Sequence, residues 1–310
     1  MDAASRFQTP GQTPRRPVDE AALARAARRL TQAREAPWLH AEVARRMAER
    51  LALVKIRPPV VLDWAARLGA GRAALQTAYA GLGHRPEIRS VEPLTFPEPA
   101  AKGSSSWWRP SSWRRTPDAL VPAEVMAGSA QLLWSNMALH VEADPAAAIA
   151  QWHRALAVDG FLMFSTLGPG SLPELRSLYD AKAWGPPMAP LVDMHDLGDM
   201  LVAAGFADPV MDQEQVVLTW ADADAALAEL RTLGANFDPH RHRGLRTPAW
   251  RRQLVQALQQ TAQNRSDARV ALTFEVAYGH AFRPPARARV APEARVDLAD
   301  FRAMTREPRR

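Results

Sequence analysis

The chain of 310 residues contains no cysteine, which excludes a disulfide framework, a thiolate metal site and a cysteine nucleophile. Lysine is nearly absent too: of 39 basic residues only Lys55, Lys102 and Lys182 are lysines, so arginine carries almost all of the formal charge of +6. The arginines are scattered along the chain instead of forming one basic stripe interleaved with aromatics, which argues against nucleic-acid binding. A basic face would equally receive an acidic protein. No apolar run approaches the ~20 residues of a membrane span, and Met1 to Glu20 lacks the apolar core of a signal peptide. A cytoplasmic location without membrane contact is expected. Metal-ligand spacing is missing as well: His240 and His242 lie in an Arg-rich turn without carboxylates, and His195 and His280 have no neighbouring ligand pair.

What is present is one long α/β pattern with irregular ends. Residues 1–18 carry Pro10, Pro14 and Pro17 with Arg15 and Arg16 and little apolar content, predicting a disordered tail. Residues 285–310 form a second Pro/Arg-rich tail, and 19–284 one domain. Within it, 20–55 predicts amphipathic helices, with Leu39, Val43, Met47 and Leu51 recurring every four residues on one side. Pro59 to Asp63 is a buried strand followed by the helix AALQTAY, and Glu87 to Glu92 a second strand. Residues 93–128 form a long irregular insertion with Trp107, Trp108 and Trp113 among arginines. Such a loop is either functional or a misassigned element, and Val121 to Val125 offers only a degenerate strand.

Gln131 to Arg176 is more regular. Leu132 to Trp134 and Phe161 to Phe164 are short apolar runs, each ending in small polar residues. Between them Ala148, Ile149, Trp152, Leu156 and Val158 recur at helical spacing, after Asp144 as N-cap and Pro145 as first helical residue. This predicts a right-handed strand-helix-strand unit whose strand C-termini carry the site. Ser171 is a plausible N-cap of a further helix bearing Arg176. Helices over 194–204, 223–233 and 248–261 and strands over 209–220 and 271–278 complete the pattern.

The segments WSNMALH, VDGFLMFSTLGPGSLPELR, MHDLGDMLVAAGFADPVMDQE, ELRTLGAN and FEVAYGHAF together resemble BioC-type methyltransferases. These are the class I, S-adenosylmethionine-dependent enzymes that methyl-esterify malonyl-acyl-carrier protein at the start of biotin synthesis. The resemblance spans roughly Trp38 to Pro284. A related branch, the methyltransferase-like assembly factors of respiratory complex I, shares WLHAEVARRMAERL, DLGDMLVAAGF and GHAFRP. The resemblance implies a class I methyltransferase fold, an α/β Rossmann-like mixed sheet of seven strands in the order 3-2-1-4-5-7-6. It also implies S-adenosylmethionine as cofactor, acyl-carrier protein or a malonyl thioester as partner, and a lid role for the N-terminal helices.

The family's glycine-rich turn has the form D/E-x-G-x-G-x-G, because the cofactor lies against backbone where a Cβ would intrude. Here those positions are Asp63, Trp64, Ala65, Ala66, Arg67, Leu68 and Gly69, so only the last glycine survives. Ala65 is compatible if its φ stays negative. Arg67 either swings out, pairs with the cofactor's carboxylate, or fills the pocket and leaves a non-catalytic binding or assembly protein. The resemblance implies that Glu92 accepts the ribose hydroxyls and that Asn136 and Met137 face the methyl group. As substrate residues, Arg176 could hold a carboxylate with two hydrogen bonds, against pairing with Glu174 or Asp180 on the surface, and His140 could act near the acceptor, against being a surface or capping residue, though a carboxylate acceptor needs no base. Arg241, Arg243, Arg246, Arg251 and Arg252 are expected beside the site's mouth.

Overall fold

The computed structural model describes residues 16–31, 35–92, 119–263 and 266–286. The strand-helix-strand unit forms where the pattern puts it. Strand β3 (Ala130–Ser135) leads to helix α5 (Pro145–Ala155) and strand β4 (Leu156–Leu167). Asp144 caps α5 by accepting the Ala147 N–H at 2.9 Å, and Pro145 occupies the first helical position. Leu156 and Val158, expected on that helix, instead open β4, because β4 must begin there to pair Leu156 with Ala130.

The other elements are helices α1 (Glu20–Thr31) and α2 (Trp38–Glu49), strand β1 (Val60–Trp64), the short helix α3 (Ala66–Gly69), helix α4 (Gly71–Gly81) and strand β2 (Glu87–Val91). After β4 come α6 (Pro173–Ala181), α7 (Met194–Ala203), strand β5 (Ala207–Trp220), α8 (Ala223–Leu230), α9 (Pro248–Gln263) and strand β6 (Val270–Phe282). Among the described residues the sheet has six strands, not seven, in the order β2-β1-β3-β4-β6-β5. β1 to β4 run parallel, and β6 is antiparallel to β4 and β5. The correction concerns the outermost strand: beside β2 only a single parallel bridge from Val91 to Leu120 remains, and Pro122–Glu124 turns into a 3-10 helix. Proline there removes a ladder donor. Most of the insertion, including its three tryptophans, lies outside the described residues.

Alternation along the strands divides the core into two clusters, one on each sheet face. Val61, Leu132 and Phe161 pack with Leu39, Val43, Met47 and Leu75 of the α2 and α4 side. Leu62, Leu133 and Leu162 pack with Ile149, Trp152, Leu197 and Leu201 of α5 and α7. Each large side chain so buried contributes about 1.5–3 kcal/mol. Helix α2 is also pinned by charge: Arg46 bridges Glu42 and Glu214, and Arg50 pairs with Asp212 while lying 4.0 Å over the Tyr278 ring. Ser171 does not cap α6. That position falls to Leu172 in a left-handed conformation, while the Ser171 hydroxyl donates to the Glu275 carbonyl at 3.1 Å.

Gly279 of β6 faces Phe164 of β4 directly. A Cβ at Gly279 would overlap the Phe164 ring, which is fully buried and cannot yield. Gly279→Ala is therefore expected to cost about 1–3 kcal/mol of stability, read as a lower urea midpoint at unchanged slope. An unchanged midpoint would show that the ring moves freely.

Candidate functional site

The C-terminal ends of β1, β2 and β3 bring together all seven residues that the sequence assigns to a cofactor. β1 ends at Asp63 and Trp64, and the chain reverses at Ala65 with φ 57° and ψ 45°. The condition of a negative φ set for Ala65 is thus not met. The left-handed conformation costs an alanine roughly 1–2 kcal/mol, and the Ala65 N–H is held in it by the Val91 carbonyl at 2.7 Å. The turn keeps a backbone shape that suits glycine while carrying alanine. Gly69 is needed for a different reason: a Cβ there would stand 2.9 Å from the Asn136 carbonyl oxygen.

Arg67 is exposed, so its side chain does not fill a buried crevice. Its backbone N–H donates to Glu92 Oε1 at 3.1 Å, which places a carboxylate at the start of α3. Glu92 is buried, and burial raises its pKa against the lowering effect of the Arg67 N–H and guanidinium. Asp63 is fully buried, and neither of its carboxylate oxygens has a hydrogen-bond partner. Burial first, then the nearby Glu92, lifts its pKa to about 7, with Arg72 acting in the other direction. The Trp134 Nε1 beside it is also unpartnered, and a Cβ on Gly71 would lie 2.5 Å from that nitrogen and 2.9 Å from Asp63 Oδ1. Buried polar atoms of this kind are rare and call for a partner.

Asn136, expected to face the methyl group, makes its hydrogen bonds within the protein. Its amide donates to the carbonyls of His40 at 2.8 Å and Gly69 at 2.5 Å, and its Oδ1 accepts the Ser165 hydroxyl at 2.7 Å. Both polar ends are committed to protein. Met137 is fully buried with φ 50°, its N–H bound to the Ser165 carbonyl at 3.0 Å.

A cavity of about 460 Å³ lies nearby, lined in part by His140 and Val141. Leu167, Leu172, Leu175, Leu191, Leu254 and Phe274 give it apolar walls, and Arg29, Arg231, Arg246 and Arg251 also line it. Tyr179, Trp184 and Trp250 stack edge to face at 5.3–6.3 Å, with the Arg246 guanidinium 4.6 Å over Trp250. Of the five expected arginines, Arg246 and Arg251 line the cavity, whereas Arg241 pairs with Asp19 at 2.8 Å and Arg243 and Arg252 stand outside it. Arg176 does not line it either; its Nη2 contacts the Met188 sulfur at 3.7 Å.

His140 does line the cavity. It is buried, not a surface or capping residue, and both ring nitrogens lack hydrogen-bond partners. Burial, helped by His40 and Arg16, lowers its pKa to about 3. His40, which sequence reasoning missed, lies between the turn after β1 and the cavity: its ring lies 6.1 Å from that of His140, and its Nδ1 meets the Leu68 carbonyl at 2.8 Å. Burial lowers its pKa to about 4, so both imidazoles are neutral at neutral pH. The only sequence signal for His40 was its place on an otherwise apolar helix face, beside Leu39 and Val43.

No protein-family profile matches the chain. Among curated proteins, the malonyl-(acyl-carrier protein) O-methyltransferase of Laribacter hongkongensis is 38% identical over 274 residues, 85% of this chain and 89% of that protein. The enzyme of the same name from Gallionella capsiferriformans is 36% identical over 280 residues, covering 87% and 93%. The solved YcgJ protein from Bacillus subtilis overlays with a TM-score of 0.47 at 13% identity, covering 77% of this chain and 98% of that one.

The raised Asp63 pKa has a measurable consequence in the ligand-free protein. Between the unfolded value of about 4 and the folded value of about 7, the native state binds more protons than the unfolded state. Stability therefore falls as pH rises through that window. Asp63→Asn removes the titration, so the variant is expected to be more stable than wild type at pH 8, by about 1.4 kcal/mol for each unit of the shift. The gain should vanish near pH 4. Urea unfolding at both pH values checks this, and a difference independent of pH would refute it.

Proposed function

The chain belongs to the malonyl-(acyl-carrier protein) O-methyltransferase family, and we propose that it methylates the free carboxyl of malonyl-acyl-carrier protein in biotin synthesis, using S-adenosylmethionine. The observation that carries this reading is the buried, unpartnered Asp63 carboxylate beneath Gly71, at the end of the first strand of a class I methyltransferase sheet. A buried acid without a partner suits a cationic, hydrogen-bond-donating ligand.

The residues fit the cofactor despite the altered turn. Arg67 is exposed, Ala65 keeps the left-handed bend, and Gly69 and Gly71 hold the backbone clear of a Cβ. Asp63 and Glu92 would accept hydrogen bonds from the bound cofactor, Glu92 from its ribose hydroxyls, and the backbone of Ala65 to Gly69 would pass alongside. When bound, S-adenosylmethionine supplies a methyl group activated by its sulfonium. Arg67 outside the crevice removes the reason for preferring a non-catalytic assembly role.

The chain's own contribution is orientation and exclusion of water. A carboxyl of ordinary pKa is ionised at neutral pH, so the acceptor needs no general base, and His140 with its strongly lowered pKa is unsuited to being one. A neutral imidazole is instead a hydrogen-bonding group of fixed charge, suited to a thioester or carboxyl oxygen in the apolar cavity. Displacing water there strengthens every polar contact, and positioning alone is worth effective molarities up to ~10⁵ to 10⁸ M. The arginines around the cavity would draw in an acidic carrier.

Calorimetric titration with S-adenosylmethionine, followed by methyl transfer to malonyl-acyl-carrier protein, tests the whole reading; no binding and no transfer would refute it. Glu92→Ala is expected to weaken cofactor binding at least tenfold, and equal affinity would remove Glu92 from the ribose site. Replacing Arg246, Arg251 and Arg252 with Ser should slow carrier association, with a deficit that shrinks as salt rises. Carrier binding that survives excess duplex DNA is the expected result, and DNA bound in its place would favour a nucleic-acid partner.

A further inference from the structure

Arg16, within the segment that the sequence assigns to a disordered tail, is only 9% exposed. Its guanidinium donates to main-chain carbonyls. Nη1 reaches His140 at 2.8 Å and Glu142 at 3.1 Å, while Nη2 and Nε reach Pro190 at 2.6 and 3.2 Å. Its backbone N–H donates to Ala143 at 3.2 Å, and the guanidinium lies 5.7 Å from the Phe237 ring centre. Three residues on, the Asp19 N–H donates to the Phe237 carbonyl at 2.8 Å and the Asp19 carboxylate pairs with Arg241 at 2.8 Å.

The segments joined in this way have one thing in common. Each lines the 460 Å³ cavity: His140 and Val141 from the first, Ala189 and Leu191 from the second, Asn236 and Phe237 from the third. The first lies between β3 and α5, the second between α6 and α7 and the third between α8 and α9, so none belongs to a strand of the sheet. Burying a guanidinium costs several kcal/mol, and burial lowers the Arg16 pKa to about 10 against the opposing effect of Glu142. The side chain remains charged, and its planar fork offers donors in fixed directions that a lysine cannot match.

We propose that Arg16 is a positioning residue for the acceptor side of the reaction: it clasps the three cavity segments into one wall and sets His140 without touching substrate. Its kinetic part rests on the methyltransferase reading; its structural part does not.

Arg16→Gln and Arg16→Lys test it, with Asp19→Asn loosening the same arm from its second attachment. Hydrogen exchange of the ligand-free protein is measured first. In Arg16→Gln the amides of Val141 and Glu142, bonded to Ala138 and Leu139 at 3.1 Å, and of Asp19 should exchange at least tenfold faster. That of Met137, bonded to Ser165, should not change. Kinetics follow: the KM for malonyl-acyl-carrier protein should rise at least fivefold with S-adenosylmethionine affinity unchanged, Arg16→Lys should recover part of it, and Asp19→Asn should show a smaller rise. Unchanged exchange over 139–142, faster exchange spread evenly over the sheet, or a matching loss of cofactor affinity would each overturn the clasp. Should Arg16→Gln fail to fold, Arg16→Lys and Asp19→Asn decide by the same measures, with wild-type exchange in both overturning it. If the wild-type protein transfers no methyl to the malonyl carrier, the reaction assignment fails while the exchange result still stands.

Discussion

The side-chain amide of Asn136 is the point at which three parts of the molecule are held to one geometry. It binds the turn after β1 through Gly69, helix α2 through the His40 carbonyl, and β4 through Ser165. An amide buried without these partners would cost on the order of 1–3 kcal/mol, so the three contacts stand or fall together. The turn can approach β3 closely only because position 69 lacks a Cβ. Ser165 in turn binds the Met137 N–H and sets where the chain leaves the sheet for the cavity. The turn after β1 and the cavity wall are thus joined through a side chain at the end of a single strand.

The electrostatics divide along the same line. On the side of the β1 and β2 termini, burial raises the proton affinity of two carboxylates, Glu92 adds to the rise at Asp63, and neither of the Asp63 oxygens is satisfied within the protein. On the cavity side, two buried imidazoles are kept neutral by burial, and positive charge is confined to arginines around the apolar walls. A site organised in this way favours a cation at one end and an anion at the other, with little charge between them. Methyl transfer from a sulfonium to a carboxylate has that polarity.

Much of the fold was legible because it is written in periodicity. The strand-helix-strand unit, the α2 face at Leu39, Val43 and Met47, and the alternating β6 strand all follow from spacing and caps. Leu156 and Val158 were misplaced because apolar residues at a helix end also fit a strand start, and only pairing with Ala130 decides between them. The outer strand was misjudged because the resemblance supplied an element that the proline-rich sequence does not support. In the candidate site, Asp63 and Gly69 were read from the turn's form and Glu92 from its distance beyond it. The sign of the Ala65 φ was left open by the sequence, since the hydrogen bond to the Val91 carbonyl that holds it comes from another strand. Asn136 was read at the end of its strand but its partners are distant in sequence, His40 was marked only by its place on an apolar helix face, and Arg16 gave no local signal.

The hydrogen bonds of the Arg16 guanidinium go to main-chain oxygens, and its face lies over an aromatic ring. Carbonyls are present whatever side chain a residue carries. The identities of residues 140–142 and 190 can therefore drift over evolutionary time without loosening the arm, provided the path of the backbone is kept. Chain members that differ widely in the residues lining the acceptor space could share one closure, and variation in acceptor preference becomes accessible by single substitutions that leave the scaffold's stability largely untouched.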